Sequence, residues 1–182
     1  MIEREVKLSF DTPDEARAAV TAAGALPLRP CRLQRDTLFD TPDGALRRRG
    51  CALRVRAEHG GAWLTFKGPV QPGSMKVRDE HETQAGSRDV LIRILRELGF
   101  DAWFTYEKRR EEYAADGVTI AVDETPVGTF LELEGGEAAI LDVTRALGRT
   151  PDDFILGSYR SLFLERRETF GIVGNDMVFG ER

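Results

Sequence analysis

Residues 2–8 read IEREVKL. Successive side chains on a β-strand point to opposite faces. Glu3, Glu5 and Lys7 therefore share one face, and Ile2, Arg4, Val6 and Leu8 share the other. Two readings compete: a surface strand with its charges in water, or a strand whose charged face lines a site. The other strands decide between them.

The same alternation returns along the chain. Arg54 and Arg56 oppose Leu53, Val55 and Ala57; Thr65 and Lys67 oppose Leu64 and Phe66. Arg78, Glu80 and Glu82 share a face, as do Lys108, Arg110 and Glu112. Asp123 is in phase with Thr119 and Ala121, and Glu132 and Glu134 oppose Leu131 and Leu133. Paired acids fall on the first and last major strands, and paired bases on the middle ones.

The pattern predicts eight strands, over residues 2–10, 34–40, 52–58, 63–68, 76–84, 103–114, 118–123 and 129–134. A helix is expected between Thr12, as N-cap before Pro13, and the stop at Gly24. Val90, Leu91, Ile94, Leu95 and Leu98 recur at three and four, so a second helix lies between Ser87 and Gly99. Further helices are expected over residues 137–147 and 159–170, with a turn over Thr41–Gly44 and a hairpin across His59, Gly60 and Gly61. Most strand links are too short for parallel crossovers, so the fold class is α+β with a mainly antiparallel sheet. One domain over residues 1–170 is expected, followed by a C-terminal tail over 171–182.

The helices carry apolar stripes that need a sheet face to cover. If they cover the apolar faces, the charged faces must meet one another. A sheet curled that way is a β-barrel with a wet, charged lumen and its helices outside. That lumen holds Lys7, Arg54, Arg56, Lys67, Arg78, Lys108 and Arg110, together with Glu3, Glu5, Glu80, Glu82, Asp123, Glu132 and Glu134. So many charges are tolerable only if they compensate one another or share a ligand of both signs. A polyphosphate with magnesium is such a ligand: Arg and Lys donate to phosphate oxygens, and clustered carboxylates hold a hard divalent cation.

Composition sets outer bounds. The chain has 182 residues, 41% hydrophobic and 31% charged, with a formal net charge of −5. Bulk charge therefore argues against nonspecific nucleic-acid binding. Cys31 and Cys51 form no CxxC pair, and no apolar run reaches membrane-spanning length. The expectation is a cytoplasmic protein, a monomer or homodimer, with no membrane and no nucleic-acid partner. Arg47, Arg48 and Arg49 are expected to be solvated, or at most a funnel at the tunnel mouth. His59 and His81 are expected at the surface, and Trp63 and Trp103 in packing roles.

These residues resemble the CYTH domain, or triphosphate tunnel metalloenzyme, superfamily. Glu3-x-Glu5-x-Lys7 is similar to its ExExK signature. DTLFDTPDG from Asp36, LRVR from Leu53, LTFKGP from Leu64, VRDEHE from Val77, EKRR from Glu107 and VDETPVGTFLELE from Val122 follow in the family's order. The likeness covers residues 2–165 and is nearest to the class IV adenylyl cyclase-like and thiamine triphosphatase-like group. It implies an eight-stranded antiparallel tunnel binding a small-molecule triphosphate with Mg2+ or Mn2+. By motif position Glu3, Glu5, Glu132 and Glu134 become metal ligands, with Glu80, Glu82 and Asp123 as further acidic candidates. Lys7, Arg54, Arg56, Lys67, Arg78, Lys108 and Arg110 grip the phosphates, with Lys7 and Lys67 as catalytic residues.

One departure stands out. Many relatives carry a tyrosine where this chain has Leu38, and in some hydrolysing members it works with the signature lysine near the attacking water. Tyr106 and Tyr159 are the obvious tyrosines left. Three functions follow: a metal-dependent triphosphatase, an adenylyl cyclase, and a noncatalytic polyphosphate-binding module. The full set of acid pairs argues against the third, because anion binding alone does not require them.

Overall fold

In a computed structural model that describes residues 2–58 and 61–180, eight strands close into one antiparallel barrel in the order β1-β5-β4-β3-β2-β6-β7-β8. The strands are β1 (Ile2–Phe10), β2 (Leu26–Asp40), β3 (Ala52–Glu58), β4 (Gly61–Lys67), β5 (Lys76–Ala85), β6 (Asp101–Ala115), β7 (Val118–Thr125) and β8 (Gly128–Glu134). Closure comes from β1, which pairs with β5 through Glu3↔Arg78 and with β8 through Lys7↔Glu132. The helices are α1 (Pro13–Ala22), α2 (Ala45–Arg48), α3 (Arg88–Glu97), α4 (Glu137–Ala146) and α5 (Tyr159–Arg166). His59 and Gly60, expected at the β3–β4 turn, lie outside the described residues.

The outward apolar faces of the strands are covered by helices, as the stripes require. Val6, Leu8, Ile120, Val122, Leu131 and Leu133 pack with Ala16 and Val20 of α1 and with Ile140 and Val143 of α4. Phe39, Leu53, Val55 and Ala62 pack with Leu91 and Leu95 of α3 and Leu46 of α2. Phe104 and Phe130 differ: they share the inward phase of Tyr106 and Glu132, and Tyr159, Leu162 and Phe163 of α5 pack against them at the inner face of the barrel. Burying each large aliphatic side chain contributes about 1.5–3 kcal/mol, so the two outer shells and the α5 cluster, not the charged part of the lumen, hold the fold together.

Three differences from the sequence reading have physical causes. β2 starts at Leu26 rather than Gln34 and runs through Pro27 and Pro30. The prolines are tolerated because β3 pairs only with Arg35–Phe39, leaving the first half of β2 as an edge, and the β2–β6 register shifts around them. The turn at Thr41–Gly44 continues into α2, which has no local side-chain cap. Asp40 caps it from the end of β2 instead, accepting from the Leu46 N–H at 2.9 Å and the Arg47 N–H at 3.1 Å. Gly44 enters α2 at φ 73°, a left-handed conformation that favours glycine. Finally, α5 ends at Arg166, and beyond it Met177 is fully buried against β6. The Met177 N–H donates to the Thr105 carbonyl at 3.0 Å, and the Glu107 N–H donates to the Met177 carbonyl at 2.8 Å.

Candidate functional site

The inward faces enclose a cavity of about 1030 Å3, walled by twelve Lys and Arg and eight Glu among the described residues. Asp36 and Asp123 lie wholly buried behind that wall. A chain with a net charge of −5 thus turns an excess of cations inward.

Cross-strand registry sets who meets whom. Lys67 faces Glu80 across β4–β5, and its Nζ lies 2.5 Å from Glu3 and 2.7 Å from Glu80. Arg78 Nε donates to the other Glu3 oxygen at 3.1 Å. Lys7 Nζ is 3.0 Å from Glu5 and 3.2 Å from Glu132, and Lys76 Nζ is 2.6 Å from Glu5. Along the wall, Arg54 Nη2 donates to Thr65 Oγ1 on the neighbouring strand at 3.1 Å and to Glu82 one strand further at 3.4 Å. Arg110 donates to Glu132 and to both oxygens of Asp123, the latter at 2.7 and 2.5 Å. Lys108 Nζ and the Tyr159 hydroxyl complete the shell of Asp123, at 2.9 and 2.5 Å.

Among the described residues, three buried polar atoms on side chains that line this lumen have no hydrogen-bond partner: Arg54 Nε, Gln34 Oε1 and Arg160 Nη1. An unmet donor on a buried guanidinium is expensive, and a phosphate oxygen would satisfy it.

The electrostatics divide the wall into two regions. Burial alone would raise the Glu5 carboxyl, but Lys7 and Lys76 outweigh it and hold it well below the usual range. Burial likewise opposes ionisation of Glu132, and Arg110, Lys108 and Lys7 reverse it. Lys7 in turn stays an ammonium, its pKa lifted above the ordinary value by Glu5 and Glu132 against burial. Lys76 and Lys108 are pushed down to about 8, by burial first and then by Lys7 and Arg110 respectively. Glu134 behaves differently. Burial, then Glu3 and Glu132, push its pKa up to about 7, and among the described residues it makes no ion pair.

The oxygen donors around Glu134 suit a hard divalent cation. Among the described residues no three His, Cys, Asp or Glu already converge on one point. The donor set fits such an ion by its chemistry: oxygen ligands only, and a carboxylate whose neighbours are carboxylates.

Of the residues expected from the sequence, Glu3, Glu5, Lys7, Arg54, Arg56, Lys67, Arg78, Glu80, Glu82, Lys108, Arg110, Glu132 and Glu134 all line the cavity. Asp123 is not brought to its surface. Others were missed. Lys76 alternates with Arg78, Glu80 and Glu82 on β5, and Tyr106 with Lys108 and Arg110 on β6, so the signal for both was present. Asp36 sits in phase with Gln34 on β2 and takes a two-pronged contact from Arg56. Tyr159 had no such signal: it enters from the first turn of α5, and no strand pattern points to it.

Leu38 packs against the cluster that contains Tyr106 and Tyr159. Tyr106 and Tyr159 lie on the cavity wall, ring centroids 5.8 Å apart. Burial, then Asp36, push the Tyr106 hydroxyl up to about 12, so it remains a donor at neutral pH. Arg47 is not simply solvated: it pairs with Asp40 at 2.9 Å and stacks over Trp103 at 4.4 Å. Trp63 and Trp103 both reach the cavity wall, as does His81, which is exposed. Cys31 is exposed and Cys51 buried, both free thiols. No helix among the described residues is long and apolar enough to cross a membrane.

Comparison with known proteins matches residues 1–148 to the family model described as the CYTH domain. A Methanocaldococcus jannaschii protein named as a candidate adenylate cyclase is 28% identical over 173 residues, covering 89% of this chain and 98% of that protein. The solved PH1819 protein of Pyrococcus horikoshii OT3 is 30% identical, with 91% of this chain and 99% of that chain covered and a TM-score of 0.79. A Hippeastrum structure, described as a candidate adenylyl cyclase with a dominant triphosphatase activity, shares the fold at 19% identity. It covers 90% of this chain and 95% of that chain, with a TM-score of 0.64.

Proposed function

Because this chain belongs to the CYTH domain family, we propose that it is a divalent-metal-dependent triphosphatase, hydrolysing an inorganic or organic triphosphate inside the barrel. One observation carries the reading. A closed lumen presents an excess of inward Lys and Arg, one with an unmet donor at Arg54 Nε, together with the carboxylate Glu134, which makes no ion pair among the described residues.

The division of labour follows from the contacts. Arg54, Arg56, Lys67, Arg78, Lys108 and Arg110 hold the phosphate chain by charge-assisted hydrogen bonds. Lys7 is held protonated by Glu5 and Glu132, so it serves as a fixed cation at the transferring group and not as a base. Lys67, between Glu3 and Glu80, trades those carboxylate contacts for phosphate oxygens. Cations preorganised on the lumen wall stabilise charge developing during phosphoryl transfer without reorganising. Glu3, Glu5, Glu132 and Glu134, with Glu80 and Glu82 nearby, would hold Mg2+ or Mn2+. When bound, the ion neutralises phosphate charge and polarises the phosphoryl oxygens. Asp123 takes a positioning role: it fixes Lys108, Arg110 and Tyr159 so that the remaining donors of the lysine and the arginine face the lumen.

Adenylyl cyclase activity is the second reading, favoured by the name of the Methanocaldococcus jannaschii relative. Both reactions use the same cradle and differ in the phosphorus attacked. Phosphorus NMR of products separates them. The protein is incubated with Mg2+ or Mn2+ and, in separate runs, ATP, inorganic triphosphate and thiamine triphosphate. Orthophosphate release supports the triphosphatase and ranks its substrates. Cyclic AMP with pyrophosphate establishes the cyclase, and binding without turnover removes both.

A further inference from the structure

On the outside of the barrel, α3 carries more apolar surface than the sheet beneath it covers. Leu91 and Leu95 are buried against Phe39, Leu53 and Val55. Val90, Ile94 and Leu98 are 45%, 50% and 66% exposed. Leu98 caps the helix and still donates its N–H to the Ile94 carbonyl at 3.0 Å, so it keeps the helical phase. Spaced at i, i+4 and i+8, the three form one ridge about 12 Å long at 1.5 Å per residue. A lone surface leucine needs no explanation, whereas a continuous apolar ridge marks a contact. None of the three lines the cavity, so the proposed chemistry does not use them.

The charges beside the ridge say what covers it. Arg93 and Glu97 follow Val90 and Ile94 by three positions, so they form a row along its solvent side. Both are exposed. Among the described residues neither has an ion-pair partner, and the pair that α3 does hold is Arg88 with Asp89 at 3.3 Å. An arginine four residues before a glutamate is the weaker order for pairing within a helix. Both charges are therefore available to another surface.

That surface must offer an apolar ridge flanked by one anion and one cation in matching order. A second α3 does so when it runs antiparallel. A two-fold axis at Ile94 sets Ile94 against its own copy, and Val90 of each chain against Leu98 of the other. Helical side chains lean towards the N-terminus. In an antiparallel pair that lean brings Arg93 of one copy level with Glu97 of the other, twice over. A parallel pair would set Arg93 on Arg93 and Glu97 on Glu97, and like charges oppose it.

We propose that α3 is the contact surface of a homodimer, with Val90, Ile94 and Leu98 as its apolar seam and two symmetric Arg93–Glu97 ion pairs at its rim. A stable interface takes about 20–30 residues a side, and one short helix supplies fewer. The dimer is therefore reversible, with a dissociation constant on the order of 10–100 µM.

Sedimentation velocity of the full chain from about 5 to about 500 µM tests it, because mass action should carry the protein from monomer to dimer across that range. Ile94→Glu should keep it monomeric throughout. Arg93→Glu and Glu97→Arg should each weaken association about tenfold or more, since each sets like charges together at two places. The double variant Arg93→Glu/Glu97→Arg restores the pairing with signs exchanged and should recover the affinity to within about threefold. This charge exchange keeps the test open if circular dichroism shows that Ile94→Glu misfolds. A monomer at every concentration overturns the proposal, and the ridge then belongs to another partner. A dimer that Ile94→Glu leaves intact also overturns it, because that dimer forms through a different face. A dimer indifferent to both single charge variants overturns the antiparallel pairing.

Discussion

Arg56 grips Asp36 with two prongs, Nε to Oδ1 at 2.8 Å and Nη2 to Oδ2 at 3.1 Å. Asp36 is completely buried, and Arg54 Nε stands 3.6 Å from the same Oδ1. One carboxylate thus fixes two guanidiniums that line the lumen. Burial alone would raise its pKa, but Arg56 and Arg54 drive it far below the usual range. A depressed folded-state pKa gives stability that is complete above the unfolded value of about 3.9 and is lost as pH falls below it. Asp36→Asn should cost about 3–5 kcal/mol at pH 7, as expected for breaking a buried charge network. Its urea-unfolding free energy should also lose part of the decline seen in the unaltered protein below about pH 4. A neutral effect at pH 7 would show that the arginines do not need their anchor.

Glu134 carries the opposite sign. Its folded-state pKa is raised to about 7, so ionising it works against the fold. The unaltered, metal-free protein should lose stability through this group as pH rises from about 4.3 through 7. Glu134→Gln removes that penalty: the variant should be the more stable at pH 8 without metal, with the gap closing below about pH 4. Adding Mg2+ should stabilise the unaltered protein more than the variant, and metal-dependent turnover should fall at least about tenfold in the variant. Thermal melts with and without Mg2+ read all of this, and matching pH profiles for the two proteins would remove Glu134 from the acid cluster.

Lys67 bridges Glu3 and Glu80 at 2.5 and 2.7 Å, so Lys67→Ala removes a phosphate contact and exposes two carboxylates to the same ligand. Triphosphate affinity should drop about tenfold or more, measured by titration calorimetry. Glu5→Gln differs, because Glu5 holds both Lys7 and Lys76. It should reduce turnover at least about tenfold while the far-UV spectrum stays native. Unchanged turnover in both Glu5→Gln and Glu134→Gln would sink the metal assignment.

The barrel was legible because its charges alternate. Six strands announce an inner face by residues two apart, such as Glu3, Glu5 and Lys7 on β1 or Arg54 and Arg56 on β3; β7 does so more weakly, through Asp123 in phase with Thr119 and Ala121, and β2 carries Gln34 and Asp36 in phase without a paired charge to mark them. Alternation tells which face a residue takes, but not how deep it lies. It put Asp123 in the lumen without revealing that Arg110, Lys108 and Tyr159 enclose it. Nor can it find residues that come from outside the sheet. Tyr159 and Arg160 enter from α5, and Arg47 is held at the mouth by Asp40, seven residues earlier in the chain. The first half of β2 escaped notice because Pro27 and Pro30 read as loop residues unless the strand's unpaired edge is known.

Asp123 and Glu134 offer the sharpest contrast between holding cations in place and holding a metal. Asp123 accepts from Arg110 at 2.7 and 2.5 Å, Lys108 at 2.9 Å and Tyr159 at 2.5 Å, and it is wholly buried. Asp123→Asn keeps the shape but leaves two cations short of charge, so they should settle elsewhere and grip phosphate poorly. Triphosphate affinity should therefore fall by about the same factor with and without Mg2+, and Mg2+ affinity itself should stay unchanged. Tyr159→Phe, which removes one hydrogen bond to the same carboxylate, should cost only about 1 kcal/mol of stability and weaken triphosphate less than Asp123→Asn does. Calorimetric titrations of Mg2+ and of triphosphate into each variant measure both effects. A loss of Mg2+ affinity in Asp123→Asn comparable to that in Glu134→Gln would place Asp123 among the metal ligands and overturn its positioning role.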